Sequence, residues 1–160
     1  MSNDEMELLY NKYKNSVYRL AFSYCKNTAD AEDITQETFI KRFTADIKFS
    51  DDKSEKAWLM KVAANKCKDL FKSITYKYFY YSISLEEANL TYESSEESAV
   101  YHAVMELPPK YRIVIHLYYY EDYSVAEIGK ILGKSDTAIQ TRLYRARNLL
   151  KKSLGEGMEL

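Results

Sequence analysis

Glycine and proline are scarce in this chain. They supply six of its 160 residues, about a third of what average usage would give. All four glycines lie after residue 128, so residues 1–128 contain neither a glycine-built phosphate loop nor an Asn-Gly hairpin. The scarcity therefore disfavours turn-rich β architectures and excludes P-loop and dinucleotide-binding enzymes.

Long apolar runs are absent as well, and the sequence predicts no secretory leader. No stretch of about 18 uncharged apolar residues occurs, and the first seven residues are acidic rather than basic and then apolar. We expect a cytoplasmic protein without direct membrane insertion. The only cysteines, Cys25 and Cys67, are too few and too distant in sequence for a disulfide framework or a metal knuckle, and we expect both to be reduced core residues.

Charge is unevenly distributed along the chain. The formal net charge is -1, yet residues 82–98 hold five glutamates and five serines with no basic residue and no apolar stripe. Residues 124–153 carry a net charge of +5. We interpret residues 82–98 as a flexible acidic linker that joins two domains, residues 1–81 and residues 99–160.

Hydrophobic periodicity predicts an all-α fold with two small helical domains. Apolar residues at spacings of three and four indicate helices over about 4–26, 29–46 and 54–73 in the first domain. The second domain has helices over about 97–107, 110–121, 125–133 and 135–154. In the second helix, the predicted core side is Ile34, Phe39, Ile40 and Phe43.

The last two helices form a helix-turn-helix pattern. Residues 124–127 (SVAE) fit a capping box, and Gly133 is the usual left-handed residue after a helix. The last helix has an apolar side and a polar side that mixes base-reading with phosphate-binding residues. The polar side contains Thr137, Gln140, Thr141, Tyr144, Arg145, Asn148 and Lys152. A solvated basic face is the alternative, but the cap, the glycine stop and the positive charge favour duplex DNA binding.

Other polar clusters give weaker signals. Asn65 lies among lysines on the third helix, next to an aromatic run at residues 76–81 on which single-stranded bases could stack, although such rings more often pack a core or an interface. The acids at residues 30–37 suit the first turns of a helix and lack EF-hand spacing. His102 and His116 each stand alone. We therefore predict no catalytic residue, metal, cofactor or small-molecule substrate.

Residues 30–41 (DAEDITQETFIK) resemble the most characteristic stretch of bacterial RNA polymerase sigma factors, the polymerase-binding part of region 2. Phe49, Trp58 with Leu59, and residues 63–69 resemble the promoter-melting and -10-reading part. Residues 107–112, 123–129 and 142–147 resemble region 4. With only an acidic linker between the two regions, the chain is similar to the extracytoplasmic-function (ECF) group.

The resemblance implies a set of partners and site residues. The first domain would bind the clamp helices of the polymerase β′ subunit through Asp33, Gln36 and Glu37. It would also hold an unstacked -10 strand with Phe49, Lys61, Asn65 and Lys68. The second domain would touch the β flap and read the -35 duplex, through Thr137, Gln140, Thr141, Arg142, Tyr144, Arg145 and Arg147. An anti-sigma factor is a further implied partner.

Two points remain open on the sequence alone. The family commonly has a basic residue at the position of Gln140, so the -35 sequence that this chain reads is not given by the resemblance. The glutamates of residues 82–98 either imitate a nucleic-acid backbone on the RNA exit path or act as a spacer. The alternative function is a stand-alone helix-turn-helix regulator that binds duplex DNA without polymerase.

Overall fold

The structure, a computed structural model, describes residues 1–73 and 96–155, without the side chains of residues 96–98. These two ranges form helices and no strand, which confirms the all-α prediction. The predicted linker, except for its last three residues, and the aromatic run at residues 76–81 lie outside the described residues. None of the described helices is long and apolar enough to cross a membrane.

Seven α-helices make up the described ranges. The first unit contains α1 (Asn3–Cys25), α2 (Thr28–Thr44) and α3 (Asp52–Phe71). The second contains α4 (Glu96–Glu106), α5 (Pro109–Ile115), α6 (Val125–Leu132) and α7 (Asp136–Leu154). A π-helical turn, His116–Tyr120, continues α5.

Short polar side chains begin most of these helices, because each one satisfies a backbone N–H that the helix cannot. Asn27 accepts from the Asp30 amide at 3.0 Å, and Asp51 accepts from the Ser54 amide at 2.7 Å. Ser124 forms the predicted capping box with Glu127. Gly133 ends α6 with a φ of 68°, as the sequence predicted.

The helix predicted over about 110–121 is present, and from His116 onward it is π-helical. Glu121 closes this turn by donating its amide to the His116 carbonyl at 3.1 Å. One prediction about the core was wrong. Ile40, expected in the core, is 60% exposed. Thr38 takes the inward position and is buried, because its hydroxyl donates to the Ile34 carbonyl at 2.7 Å and so keeps its polar atom paired.

One continuous hydrophobic core runs through both units. Cys25 on α1 and Cys67 on α3 are buried in it as free thiols, as predicted. Although 42 positions separate them, their sulfur atoms are 4.0 Å apart. The hydrogen bond from Cys25, together with burial, holds the pKa of the Cys67 thiol well above its usual value.

Arg112 of α5 fastens the two units together. It is 1% exposed, and its guanidinium donates to the carbonyls of Ser23 and, at 2.6 Å, Tyr24 at the end of α1. The same group donates to the carbonyls of Met105 at 3.1 Å and Leu107 at 2.8 Å. Carbonyls at helix ends lack partners within the helix and attract a cation. The buried guanidinium therefore supplies hydrogen bonds to carbonyls of both units at their junction.

Candidate nucleic-acid interface

The last helix, α7, is set on the second unit by an apolar stripe and a tight turn. The buried side of α7 consists of Ile139, Leu143, Ala146 and Leu150. At its start, Ser135 accepts from the Ala138 amide at 3.1 Å. In the turn, the Lys134 amide donates to the Gly129 carbonyl at 2.9 Å, which fixes the angle between α6 and α7.

The opposite face of α7 is open to solvent in its first turns. Thr137, Gln140, Thr141 and Arg145 are exposed, and Tyr144 is 65% exposed. A helix that projects a glutamine and an arginine from exposed positions has the side chains that make bidentate contacts with base edges. This face therefore has the chemistry and the access that major-groove binding requires.

Two further arginines of the predicted DNA-binding set are half-buried. The Nε of Arg147 donates to the Tyr119 hydroxyl at 2.7 Å, and its guanidinium lies over the rings of Tyr118 and Tyr119. Arg142 lies on the side of α7 that faces the first unit, close enough to Lys68 for their charges to interact. Arg147 is thus held against its own domain, whereas Gln140 and Arg145 point away from it.

In the first unit, α3 presents Lys61 and Asn65 on one exposed face. Phe49 precedes this helix in a loop and lies half-buried against Trp58, with the ring centroids 5.9 Å apart. The structure therefore brings three of the four predicted -10 residues to one side of the unit, on or next to α3.

The fourth -10 residue, Lys68, makes a contact that the sequence did not indicate. Its Nζ donates to the Leu132 carbonyl at the end of α6, at 2.5 Å. Burial, with Lys134 and Arg142 nearby, lowers the pKa of Lys68. In this arrangement Lys68 links the two units, and its half-buried ammonium is held at their junction.

On α2, Asp33, Gln36 and Glu37 share one exposed face, as their spacing predicted. The Oε2 of Glu37 lies 3.5 Å from the Nζ of Lys66. Ile40 belongs to the same face one turn further along. Its exposed side chain adds apolar surface to a face whose other three members are polar. The sequence predicted Ile40 to be buried, because its spacing along α2 also fits a core position.

No group of three or more His, Cys, Asp or Glu side chains in residues 1–73 and 96–155 is arranged to hold a metal. His116 does meet a carboxylate, with its Nε2 3.4 Å from Glu121. Burial alone would raise the pKa of Glu121, but His116 and Arg19 lower it to about 2, so this carboxylate serves as a structural ion-pair partner.

Both halves of the chain match known families. Residues 9–75 match the family described as Sigma-70 region 2, and residues 97–150 match the family described as Sigma-70, region 4. The two matches follow each other in the order that the sequence motifs indicated. A helix-turn-helix regulator of another kind would match only in its second half.

Similar proteins agree with this assignment. RNA polymerase sigma factor SigV of Bacillus subtilis (strain 168) is 31% identical, over 89% of this chain and 86% of its own. ECF RNA polymerase sigma factor SigW of the same organism is 30% identical, over 89% of this chain and 84% of its own.

Solved structures share the fold. The sigma factor RpoE from Bartonella quintana, crystallised with the anti-sigma factor NepR, superposes with a TM-score of 0.68 at 19% identity, over 94% of this chain and 96% of RpoE. CnrH in complex with the cytosolic domain of CnrY gives a TM-score of 0.67 at 22% identity, over 98% of this chain and 92% of CnrH. By its two regions and by these relatives, the chain belongs to the ECF group of the sigma-70 family of RNA polymerase sigma factors.

Proposed function

We propose that this chain is a non-catalytic initiation factor that binds core RNA polymerase through α2 and directs it to promoters by contacts with the -10 and -35 elements. The observation that carries the proposal is the presence of two separate exposed surfaces of different chemistry. The α2 face is acidic with one exposed isoleucine, whereas the α7 face combines glutamine, arginine and threonine. The first suits a protein partner and the second suits duplex DNA.

The residue roles within this function are as follows. The polymerase-binding face is the α2 face, which consists of Asp33, Gln36, Glu37 and Ile40. Phe49, Lys61, Asn65 and Lys68 serve the -10 strand. On α7, Gln140 and Arg145 read bases of the -35 element. Thr137, Thr141, Arg142, Tyr144 and Arg147 contact phosphates or support the helix.

Co-elution with core polymerase in gel filtration, without DNA, tests the polymerase contact. The double variant Asp33→Ala/Glu37→Ala should lose co-elution. Ile40→Ala should weaken it by about tenfold, because full burial of an isoleucine side chain in the contact would contribute about 1.5–3 kcal/mol. The double variant Asp4→Ala/Glu7→Ala removes two exposed acids from α1 and should bind like the original protein. Unchanged binding by the folded α2 variants would show that the α2 face is not the contact.

The same experiment distinguishes this function from that of a stand-alone regulator. A regulator of that kind would bind duplex DNA through α7 and never elute with core polymerase. The matches to region 2 support the polymerase-binding function, since a regulator has no use for that region. Because polymerase acts in the cytoplasm, the proposed function also places the chain there.

An anti-sigma factor is a further proposed partner. RpoE of Bartonella quintana, which has the same fold, was crystallised with its anti-sigma factor NepR. We propose that a protein of this class restrains the present chain and competes with core polymerase. Titration of core polymerase into a complex with the partner, read by gel filtration, should release the partner.

A further inference from the structure

The loop between α2 and α3, residues 45–51, has few fixed points, and we call it the base-capture loop. At one end the Ala45 amide donates to the Lys41 carbonyl at 3.0 Å, and at the other Asp51 caps α3. Among the described residues, residues 46–50 take part in no hydrogen bond between backbone groups. The shape of this loop therefore depends on side-chain contacts.

Phe49 supplies the main side-chain contact of the loop. Its ring lies against Trp58 of α3 on one side, and the guanidinium carbon of Arg42 lies 5.0 Å from its centroid. Arg42 comes from the last turn of α2 and is only 6% exposed. A guanidinium over an aromatic face is attractive and restricts how the ring can move.

Arg42 is itself fixed by a second partner. Its Nε donates to Glu55 of α3 at 2.8 Å, and its Nη2 lies 2.6 Å from the same carboxylate oxygen. The side chains of Arg42 and Glu55 are 7% and 14% exposed, so solvent screens this ion pair little. Glu55, Arg42, Phe49 and Trp58 thus form a chain of contacts from α3 through α2 to the loop and back to α3.

This chain of contacts borders a cavity. The cavity has a volume of about 610 Å³, and its lining includes Arg42, Phe49 and Glu55 together with carboxylates of the loop such as Asp46. A cavity of this size holds small organic molecules of the size of a nucleoside. Carboxylates can accept hydrogen bonds from the amino groups of bases.

We propose that Arg42 is a positioning residue for -10 recognition: by holding Phe49 and Glu55 together, it fixes the base-capture loop and so the base preference of the cavity. The inference rests on the proposed function and adds a residue to it. Arg42 does not touch the DNA. Phe49, predicted from the sequence to contact the strand, then serves as the anchor through which Arg42 acts.

Lysine cannot replace arginine in this role. The planar guanidinium lies over the Phe49 ring while two of its nitrogens approach one carboxylate. A lysine ammonium, by contrast, is a strongly hydrated point charge. An ion pair that merely joins α2 to α3 would need only charge. Arg42→Lys therefore separates a positioning role from a structural one.

The test uses the full chain with core polymerase on templates that carry each base at each -10 position, with open-complex formation as the readout. At a recognised position the original protein should prefer one base at least about fivefold. Arg42→Lys and Arg42→Met should reduce that preference to within about twofold while binding core polymerase normally. Lys14→Met is the control. It removes a cation of α1 whose Nζ donates to Asn11 of the same helix at 3.4 Å, lies outside the cavity lining, and should keep the preference.

Unaltered base preference with uniformly slower opening in the Arg42 variants would overturn the inference and leave Arg42 a structural residue. If those variants do not fold, Glu55→Gln and Phe49→Leu take their place. An unchanged base preference in both of these variants would also overturn the inference. If the original protein discriminates among bases and the variants do so as well, only this inference fails. If the original protein opens no template with core polymerase, the proposed function fails with it.

Discussion

At the scale of single residues, Lys26 occupies a position for which its side chain is poorly suited. It ends α1 in the left-handed conformation, with a φ of 55°, and it is 5% exposed. Left-handed backbone costs a residue with a side chain about 1–2 kcal/mol. Burial, with Arg112 nearby, lowers the pKa of Lys26 to about 8. The unfolded chain keeps this proton to a higher pH, so the charge opposes folding below pH 8.

Lys26→Gly should therefore raise the free energy of unfolding at pH 7 by more than the net backbone gain of about 1 kcal/mol, because removal of the buried charge adds to that gain. The unfolded state binds more protons at Lys26 between pH 8 and about 10.5, so the original protein gains stability from this group as pH rises there. The advantage of glycine should shrink over that interval in urea unfolding series.

Lys26→Met serves as the control for this prediction, because it removes the charge and keeps the strained backbone. The free energy of unfolding of Lys26→Met should vary with pH as that of Lys26→Gly does, but without the pH-independent gain that comes from relief of the strained backbone. An advantage of Lys26→Gly that stays equal at every pH would show that strain alone is relieved.

At the scale of elements, the turn between α6 and α7 depends on the absence of a side chain at Gly129. A Cβ there would lie 2.6 Å from the Lys134 carbonyl oxygen, a backbone atom that cannot move without shifting the turn. Gly129→Ala should cost about 1–3 kcal/mol in unfolding experiments, as overpacked sites do. It should also weaken -35 binding more than core polymerase binding, since only the second unit is distorted.

Gly133→Asn provides the matched comparison. A Cβ at this position meets nothing within 4 Å, and asparagine tolerates the left-handed φ of 68°. This variant should lie within about 0.5 kcal/mol of the original protein and keep its -35 affinity. Equal losses of stability in both variants would mean that the turn is sensitive to any substitution, and not specifically to the close contact between a Cβ at residue 129 and the Lys134 carbonyl.

The surface of α7 gives a second prediction for an element. Gln140→Ala and Arg145→Ala should each cost about 1–3 kcal/mol on the preferred -35 duplex and relax the preference at one position. Arg147→Ala should weaken all duplexes alike, because its guanidinium is held by Tyr119 and supports the helix. Equilibrium binding to single-base -35 variants distinguishes these patterns. Uniform weakening by Gln140→Ala and Arg145→Ala would make them phosphate contacts.

At the scale of the whole molecule, the packing of the two units conflicts with simultaneous contact to both promoter elements. Positions -10 and -35 lie about 25 base pairs apart, or about 85 Å along the duplex. A compact chain of this length has a radius of gyration of about 15 Å. The contacts of Arg112, Lys68 and Arg19 across the junction must therefore open, at least in part, before both elements are bound.

Arg19→Glu should favour the open state. Arg19 of α1 donates to Glu121 of the second unit at 2.8 Å, and the reversed charge would repel that carboxylate. Because the side chain of Glu121 is only 4% exposed, solvent screens this pair less than a surface pair, and we expect the open population to rise at least a few-fold. Small-angle scattering should show a larger radius of gyration, and promoter complexes with core polymerase should form a few times faster.

Lys12→Glu is the control for this experiment. Lys12 is also a cation of α1 with a comparably exposed side chain, but its partner Asp52 lies in the same unit. Its reversal should leave the radius of gyration unchanged. Equal expansion in both variants would indicate general destabilisation, and no expansion with Arg19→Glu would show that this ion pair does not hold the units together.

The sequence by itself determined what depends on neighbours along the chain. Helix periodicity, the capping box at Ser124 and the glycine stop at Gly133 are local features, because their partners lie within four residues. The same holds for the exposed faces of α2 and α7, whose members recur every three or four positions. Motif order in turn identified the family that the comparisons confirm.

Only the tertiary structure decided which surfaces meet. Ile40 fits a core position by spacing, yet Thr38 takes the inward place because its hydroxyl finds a carbonyl in its own helix. The sulfur atoms of Cys25 and Cys67 become neighbours because α1 and α3 pack together. Lys68 and Arg112 reach carbonyls in the other unit, 64 and 88 or 89 positions away along the chain. No periodicity carries such information, since it depends on how the helices pack and on which buried polar groups still need partners.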